Sequence, residues 1–299
     1  MRNLKLFSQV VILLSGLLFF AGCQQDAASP ADLEERTTST TAYPNVNLFG
    51  LGTANELYVY RSGPPATEVS STPITGLREG EQLLAMDFSA MNGKLYAVSS
   101  MDMIYTINTS TSLGTTPYGA VTKVSQAPFT PSLEGTTVAM DINPRTNQIH
   151  LITDKGQNLR LSTSTGQVVG VDLTPSTGGS MIAINSAAFS NNYSGTIGTT
   201  LYDVDMIEGK LYRQAASSGS LSLVGSTGLS ITGEGGLDIS RNGSAFAVYN
   251  ASAVAPRPTV SSTPDDQTQT AYRLYGISLR NGAATSLGKV KPMIGIAVQ

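Results

Sequence analysis

The chain has no tryptophan, one cysteine and one histidine among its 299 residues, and only 13% of those residues are charged. Each shortage excludes something. A single imidazole rules out a multi-histidine metal centre and leaves at most one histidine base. A single thiol rules out an internal disulfide. There is no G-x-S-x-G elbow, Walker loop, G-x-G-x-x-G fingerprint or C-x-x-C pair, so hydrolase, nucleotide and redox chemistry lack their usual signatures. No run of Lys or Arg occurs either, which argues against a nucleic-acid partner. No cofactor is expected.

The one long apolar run, VVILLSGLLFF at residues 10–20, falls short of the about 20 residues that a membrane-spanning helix needs. Arg2 and Lys5 precede it and the small residues Ala21 and Gly22 follow, which is the pattern of a signal peptide over residues 1–22. Phe20-Ala21-Gly22-Cys23 resembles the lipoprotein box, with Phe in place of the usual Leu. A free exported thiol would be open to oxidation, so lipidation explains the lone Cys23 better than chance does. Gln24 stands where an Asp would signal inner-membrane retention, so attachment to the outer membrane is expected. Removal of the signal leaves 16 basic residues against 21 acidic ones, a net charge of −5. Residues 23–43 are polar with few large apolar side chains and read as a tether. The folded domain is expected over 44–299.

What the chain has in quantity is a phrase of two apolar beats. It occurs as NLFGLGTANELYVY, KLYAVSSMDMIYTIN, QIHLITDKGQNLRL, TLYDVDMIEGKLYR and AFAVYN with a distant YRLYGI. The beats start at Leu48 and Leu57, Leu95 and Ile104, Ile149 and Leu159, Leu201 and Leu211, and Phe246 and Leu274. Alternation with period two, broken by turn residues, predicts a pair of antiparallel strands for each phrase. A third strand follows each pair, as in ATEVSS or GQVVGV, and a further apolar segment precedes it, as in LLAMDFSA, TVAMDINP, SAAFSNN and GGLDIS.

Four strands recurring about every fifty residues predict propeller blades. The first phrase lacks a leading segment, while KPMIGIAVQ at the C-terminus is a leading segment with nothing after it. The expected architecture is therefore all-β, a five-bladed β-propeller closed by the C-terminal strand joining the N-terminal blade. A two-sheet sandwich also has regular short strands, but it gives no reason for a fivefold phrase or for complementary chain ends.

The chain resembles the bacterial domain of unknown function 4394 family, most specifically in ITGLREGEQLLAMDF, in MDINPRTNQIHLITDKGQNLRLSTSTGQ and in TLYDVD. That resemblance implies an exported, propeller-like all-β domain with no agreed activity. His150 stands where the family tends to carry Arg, and an insertion separates Asn250 from Tyr272.

Asp87, Asp141 and Asp238 recur at one place, eight residues before the next beat, with Phe189 in the equivalent position of the fourth unit. A ring of carboxylates could hold a cation. Without a calcium-loop pattern, the plainer role is capping the following turn, and no metal is assigned. His150 occupies a strand position otherwise taken by Tyr and reads as a packed or half-exposed strand residue. Asp154, Asn158 and Arg160 form the polar cluster best placed for a ligand, on the face that carries the blade-to-blade connections, and Arg160 could equally pair with an Asp in the neighbouring blade. The insertion at 251–271 opens on that face too.

The expected function is a lipid-anchored binding or interaction module of the cell envelope, held to the membrane through Cys23, with a glycan or protein partner. The alternative is a glycan hydrolase or lyase drawing acid and base from channel carboxylates.

Overall fold

A strand with one wet face alternates apolar and polar residues, whereas the middle strands of these phrases alternate large with small. In LYAVS every residue is buried, as it must be when a sheet is covered on both faces. The computed structural model describes residues 43–111, 116–254 and 270–299. All its regular elements there are strands.

In chain order they are β1 (Asn47–Gly52), β2 (Glu56–Arg61), β3 (Thr67–Pro73), β4 (Leu83–Phe88), β5 (Leu95–Ser99), β6 (Ile104–Ile107), β7 (Val121–Lys123), β8 (Val138–Ile142), β9 (Gln148–Thr153), β10 (Asn158–Ser162) and β11 (Val168–Val171). The second half contains β12 (Ser176–Thr177), β13 (Ser180–Met181), β14 (Ile184–Phe189), β15 (Leu201–Asp205), β16 (Lys210–Ala215), β17 (Ser220–Ser226), β18 (Leu229–Ile239), β19 (Ala245–Ala253), β20 (Ala271–Ile277), β21 (Ala284–Lys289) and β22 (Met293–Val298).

These strands form five sheets. Blade 1 has the order β22-β1-β2-β3, so the last strand leads the first blade. Blade 2 is β4 to β7, blade 3 β8 to β11, blade 4 β14 to β17 and blade 5 β18 to β21. The inner strands β4, β8, β14, β18 and β22 touch in that cyclic order, with β22 contacting β4 to close the circle. The protein is a five-bladed β-propeller.

Closure rests on antiparallel pairing of β22 with β1, from Leu48 opposite Val298 to Leu51 opposite Gly295. That pairing gives blade 1 its inner strand and covers the edge that β1 would otherwise expose.

The hydrophobic core is not one mass but five, one for each seam between blades. Leu51, Leu57 and Val59 of blade 1 meet Met86, Leu95 and Tyr105 of blade 2. The seam between blades 4 and 5 sets Val204 and Leu211 against Leu237 and Tyr249, and the other three are built alike. Inner strands approach closely where glycine allows it. A Cβ on Gly236 of β18 would lie 2.6 Å from the Ile296 nitrogen and 2.9 Å from the Gly295 Cα of β22.

Two features depart from expectation. The hairpin of β12 and β13 adds a parallel extension to the outer edge of blade 4, joined by Ser176 opposite Ser220. Its turn uses Gly178 and Gly179, both at positive φ. The insertion is also shorter than the gap suggests, because β19 continues to Ala253 and β20 begins at Ala271. Most of it, 255–269, lies outside the described residues, as do the proposed signal and tether.

Gly236→Ala forces backbone apart at the closing seam, where no flexible side chain can yield. Thermal unfolding should show a loss of about 1–3 kcal/mol. The same substitution at Gly243, whose Cβ would meet nothing within 4 Å but whose φ is +85°, should cost only the backbone strain.

Candidate functional site

Register places the acidic positions at the axis. Asp87 pairs across its blade with Tyr96, Asp141 with His150 and Asp238 with Phe246. The equivalent residue of blade 4 is Ala188, opposite Tyr202, not Phe189 as the sequence alignment has it. In blade 1 it is Ala297, opposite Phe49. One level of the channel is thus ringed by three carboxylates and two methyl groups.

Each of these positions faces the seam with the following blade, and there the carboxylates act. Asp87 Oδ2 accepts a hydrogen bond from the Ile142 N–H of blade 3 at 2.8 Å. Asp238 Oδ2 accepts one from the Val298 N–H of β22 at 2.6 Å. Where Ala188 offers no acceptor to blade 5, Asp238 Oδ1 takes its own neighbour's N–H, Ile239, at 2.5 Å. Asp141 faces the N–H groups of Phe189 and Ile142, which act to lower its pKa. Neither of its oxygens reaches hydrogen-bonding geometry, however, and both are buried without a partner. The turn-capping role expected for these residues falls instead to Ser89, whose Oγ accepts the Met91 and Asn92 N–H groups, and to Asn143, which receives those of Arg145 and Thr146.

The three acids are each 1% exposed. One oxygen from each lies within 4.8 Å of the others. Burial pushes all three pKa values up: Asp87 and Asp141 rise well above the ordinary carboxylate value, with repulsion from Asp238 adding at Asp87 and from Asp87 and Asp238 at Asp141, while burial alone takes Asp238 to about 7. His150 is 3% exposed and meets the Phe189 ring edge-on at 4.9 Å. Burial lowers its pKa to about 4, so it is neutral at pH 7. Asp203 of β15 is a further fully buried acid, raised by desolvation and without a hydrogen-bond partner. No sequence motif flags its burial.

On the N-terminal side of the acid layer, Met86, Met140, Leu237 and Ile294 help to reduce the channel to a cavity of about 10 Å³. On the C-terminal side, where the turns after the inner strands converge, an open pocket of about 320 Å³ is lined by Ser89, Asn192, Tyr193, Ser194, Arg241 and Gln299, with Phe88 and Val298 next to the acid layer. Arg241 is exposed and has no carboxylate partner among the described residues.

The cluster proposed from sequence lies elsewhere and is occupied with the fold. Asp154 Oδ1 accepts the Thr136 and Thr137 N–H groups. Asn158 Nδ2 donates to the carbonyls of Leu173 and Ala216, pinning blade 3 to blade 4. Arg160 forks onto Asp172, just past the outer strand of its own blade, at 2.8 and 3.0 Å. The pocket residues were missed because they sit in turns, and turn residues repeat too loosely to register as a motif.

With the fold and site in place, the chain can be set beside known proteins. The family model for a domain of unknown function, DUF4394, matches residues 45–297. The chain belongs to that family. No curated protein matches it. A solved protein of unknown function from Bacteroides caccae covers 85% of this chain and 99% of its own, at 10% identity and a TM-score of 0.41.

The raised carboxyl pKa values fix the sign of a pH dependence. A buried acid that holds its proton more tightly when folded stabilises the protein fully below the unfolded value near 3.8. That contribution fades as pH rises through the folded value, about 7 for Asp238. In buffer containing a chelator, wild-type unfolding temperature should therefore fall relative to that of Asp238→Asn between pH 4 and pH 7. A gap that widens in the other direction would show that these acids are ionised in the fold.

Proposed function

We propose that this DUF4394 protein is a non-catalytic binding module of the bacterial cell envelope, tethered to the outer membrane through lipidated Cys23. Its ligand is an acidic saccharide seated in the axial pocket. The observation that carries the reading is Arg241, without a carboxylate partner among the described residues, at the mouth of an open pocket whose other polar side chains carry hydroxyls and amides. A guanidinium fork suits a sugar carboxylate, and the half-exposed ring of Tyr193 offers a face to a sugar ring. The volume falls at the small end of the range for ligand pockets, enough for one or two sugar rings.

A glycan hydrolase would need its acid and base within reach of substrate. The ring carboxylates are each 1% exposed, out of reach of a saccharide in the pocket, so that reading has no support at the axis. A protein partner is the second reading, favoured by an exposed apolar stripe at Val169, Val171, Leu173 and Met181 along the outer edges of blades 3 and 4. The anchor follows from the signal-like residues 1–22 and the lone Cys23.

Thermal unfolding of the purified protein with neutral and acidic oligosaccharides and peptidoglycan fragments tests the reading. An acidic saccharide at about 100 times its Kd should add about 2.7 kcal/mol of stability, and Arg241→Ala should remove most of it while leaving the unliganded unfolding temperature unchanged. No response to any saccharide, with envelope proteins captured by wild type but not by Val171→Glu, would transfer the function to the apolar stripe.

A further inference from the structure

We propose that Asp87, Asp141 and Asp238 form a binding site for a single hard divalent cation of calcium size on the propeller axis. No role in ligand binding at Arg241 is required for it. The geometry comes first. Oxygens on opposite sides of a calcium ion stand roughly 4.8 Å apart, about twice its bond length of 2.3–2.6 Å, and the three carboxylates each bring one oxygen within 4.8 Å of the others. One ion reaches all three. Magnesium, with bonds of about 2.0–2.1 Å, demands near-ideal octahedral geometry, which three carboxylates fixed on separate blades are less suited to supply.

Hydrogen-bond accounting points independently to a ligand. The backbone takes Asp87 Oδ2 and both oxygens of Asp238. Left over are Asp87 Oδ1 and both oxygens of Asp141, all inaccessible to solvent and all without a partner. Buried polar atoms are satisfied almost without exception, by protein, water or ion. No Lys, Arg or His among the described residues acts on any of the three acids; the only charges they feel are each other's.

The adjoining cavity of about 10 Å³ is lined by residues one to three positions before the ring acids, such as Ala85, Met140 and Gly236, and holds about one atom of water size. The methyl groups at Ala188 and Ala297 keep the axis from filling with side chains. Three acids among five positions give the negative charge that a hard cation needs, and a ring of five would add repulsion without adding reach. Without metal the site neutralises itself with protons, and a cation would displace them.

The test uses the purified protein, stripped with chelator and dialysed, then titrated with Ca²⁺, Mg²⁺ or K⁺ while its unfolding temperature is followed. Calcium at about 100 times its Kd should raise that temperature by about 5 °C, magnesium by less and potassium not at all. Elemental analysis should find about one equivalent of calcium after re-equilibration. Asp141→Asn keeps the size and neutrality of the protonated acid, so this variant should be about as stable as the stripped parent and yet fail to respond to calcium. Asp154→Asn, a surface-turn control, should respond like wild type. Two outcomes would overturn the proposal: no thermal response with no bound metal in the folded protein, or an Asp141→Asn response equal to that of wild type.

Discussion

Everything at the centre of this propeller depends on one contact, a carboxylate oxygen on one inner strand receiving the backbone N–H of the next. Inner strands of neighbouring blades lie side by side without forming a ladder, so their backbone groups at the axis need partners from side chains. Asp87 and Asp238 supply them across two seams. Side chains longer than Asp would crowd the axis, and Ser or Thr would not span the gap as a charge. The same contact draws the chain ends together, since the Val298 N–H that Asp238 binds belongs to the closing strand.

That layer divides the channel into two unequal halves. Before it, methionine, leucine and isoleucine fill the axis, so the blades share apolar surface where no water enters. Beyond it the inner strands end, their turns converge around a polar pocket, and Arg241, without a carboxylate partner among the described residues, stands at its rim. The buried acids belong to the frame, and the exposed turns belong to recognition. A propeller separates these roles well, because the blades hold the turns in place while the turn sequences remain free to vary.

Much of the fold was legible in the sequence because blade strands repeat the same packing problem five times. Leu95, Ile149 and Leu201 begin equivalent strands for one reason, burial on both faces, and the unmatched MIGIAV at 293–298 announced its pairing with NLFGLG. The acid positions were legible as a repeat, but not their function. Spacing alone cannot tell a carboxylate that caps its own turn from one that crosses to the next blade. Register by eye also slipped one residue in blade 4, where Phe189 looks like the counterpart of Asp and Ala188 is. GQNLRL drew notice for a sound but different reason: Gly156 adopts φ +84°, Asn158 bridges two blades and Arg160 clamps Asp172, so its polar residues are clips of the fold. Arg241 and Tyr193 carry no pattern at all, and only the convergence of turns from separate blades gives them meaning.

The central claim is that axial carboxylates bind the blades through backbone N–H groups, and amide hydrogen exchange under native conditions tests it most directly. The Ile142 and Val298 amides should exchange only by global unfolding, as slowly as any in the protein, and should do so faster than that limit in Asp87→Ala and Asp238→Ala respectively, which remove the acceptor. If instead both amides in the wild-type protein exchange as quickly as those of the outer strands β3 and β11, the seams are held by apolar packing alone and the carboxylate layer is not what joins the ring.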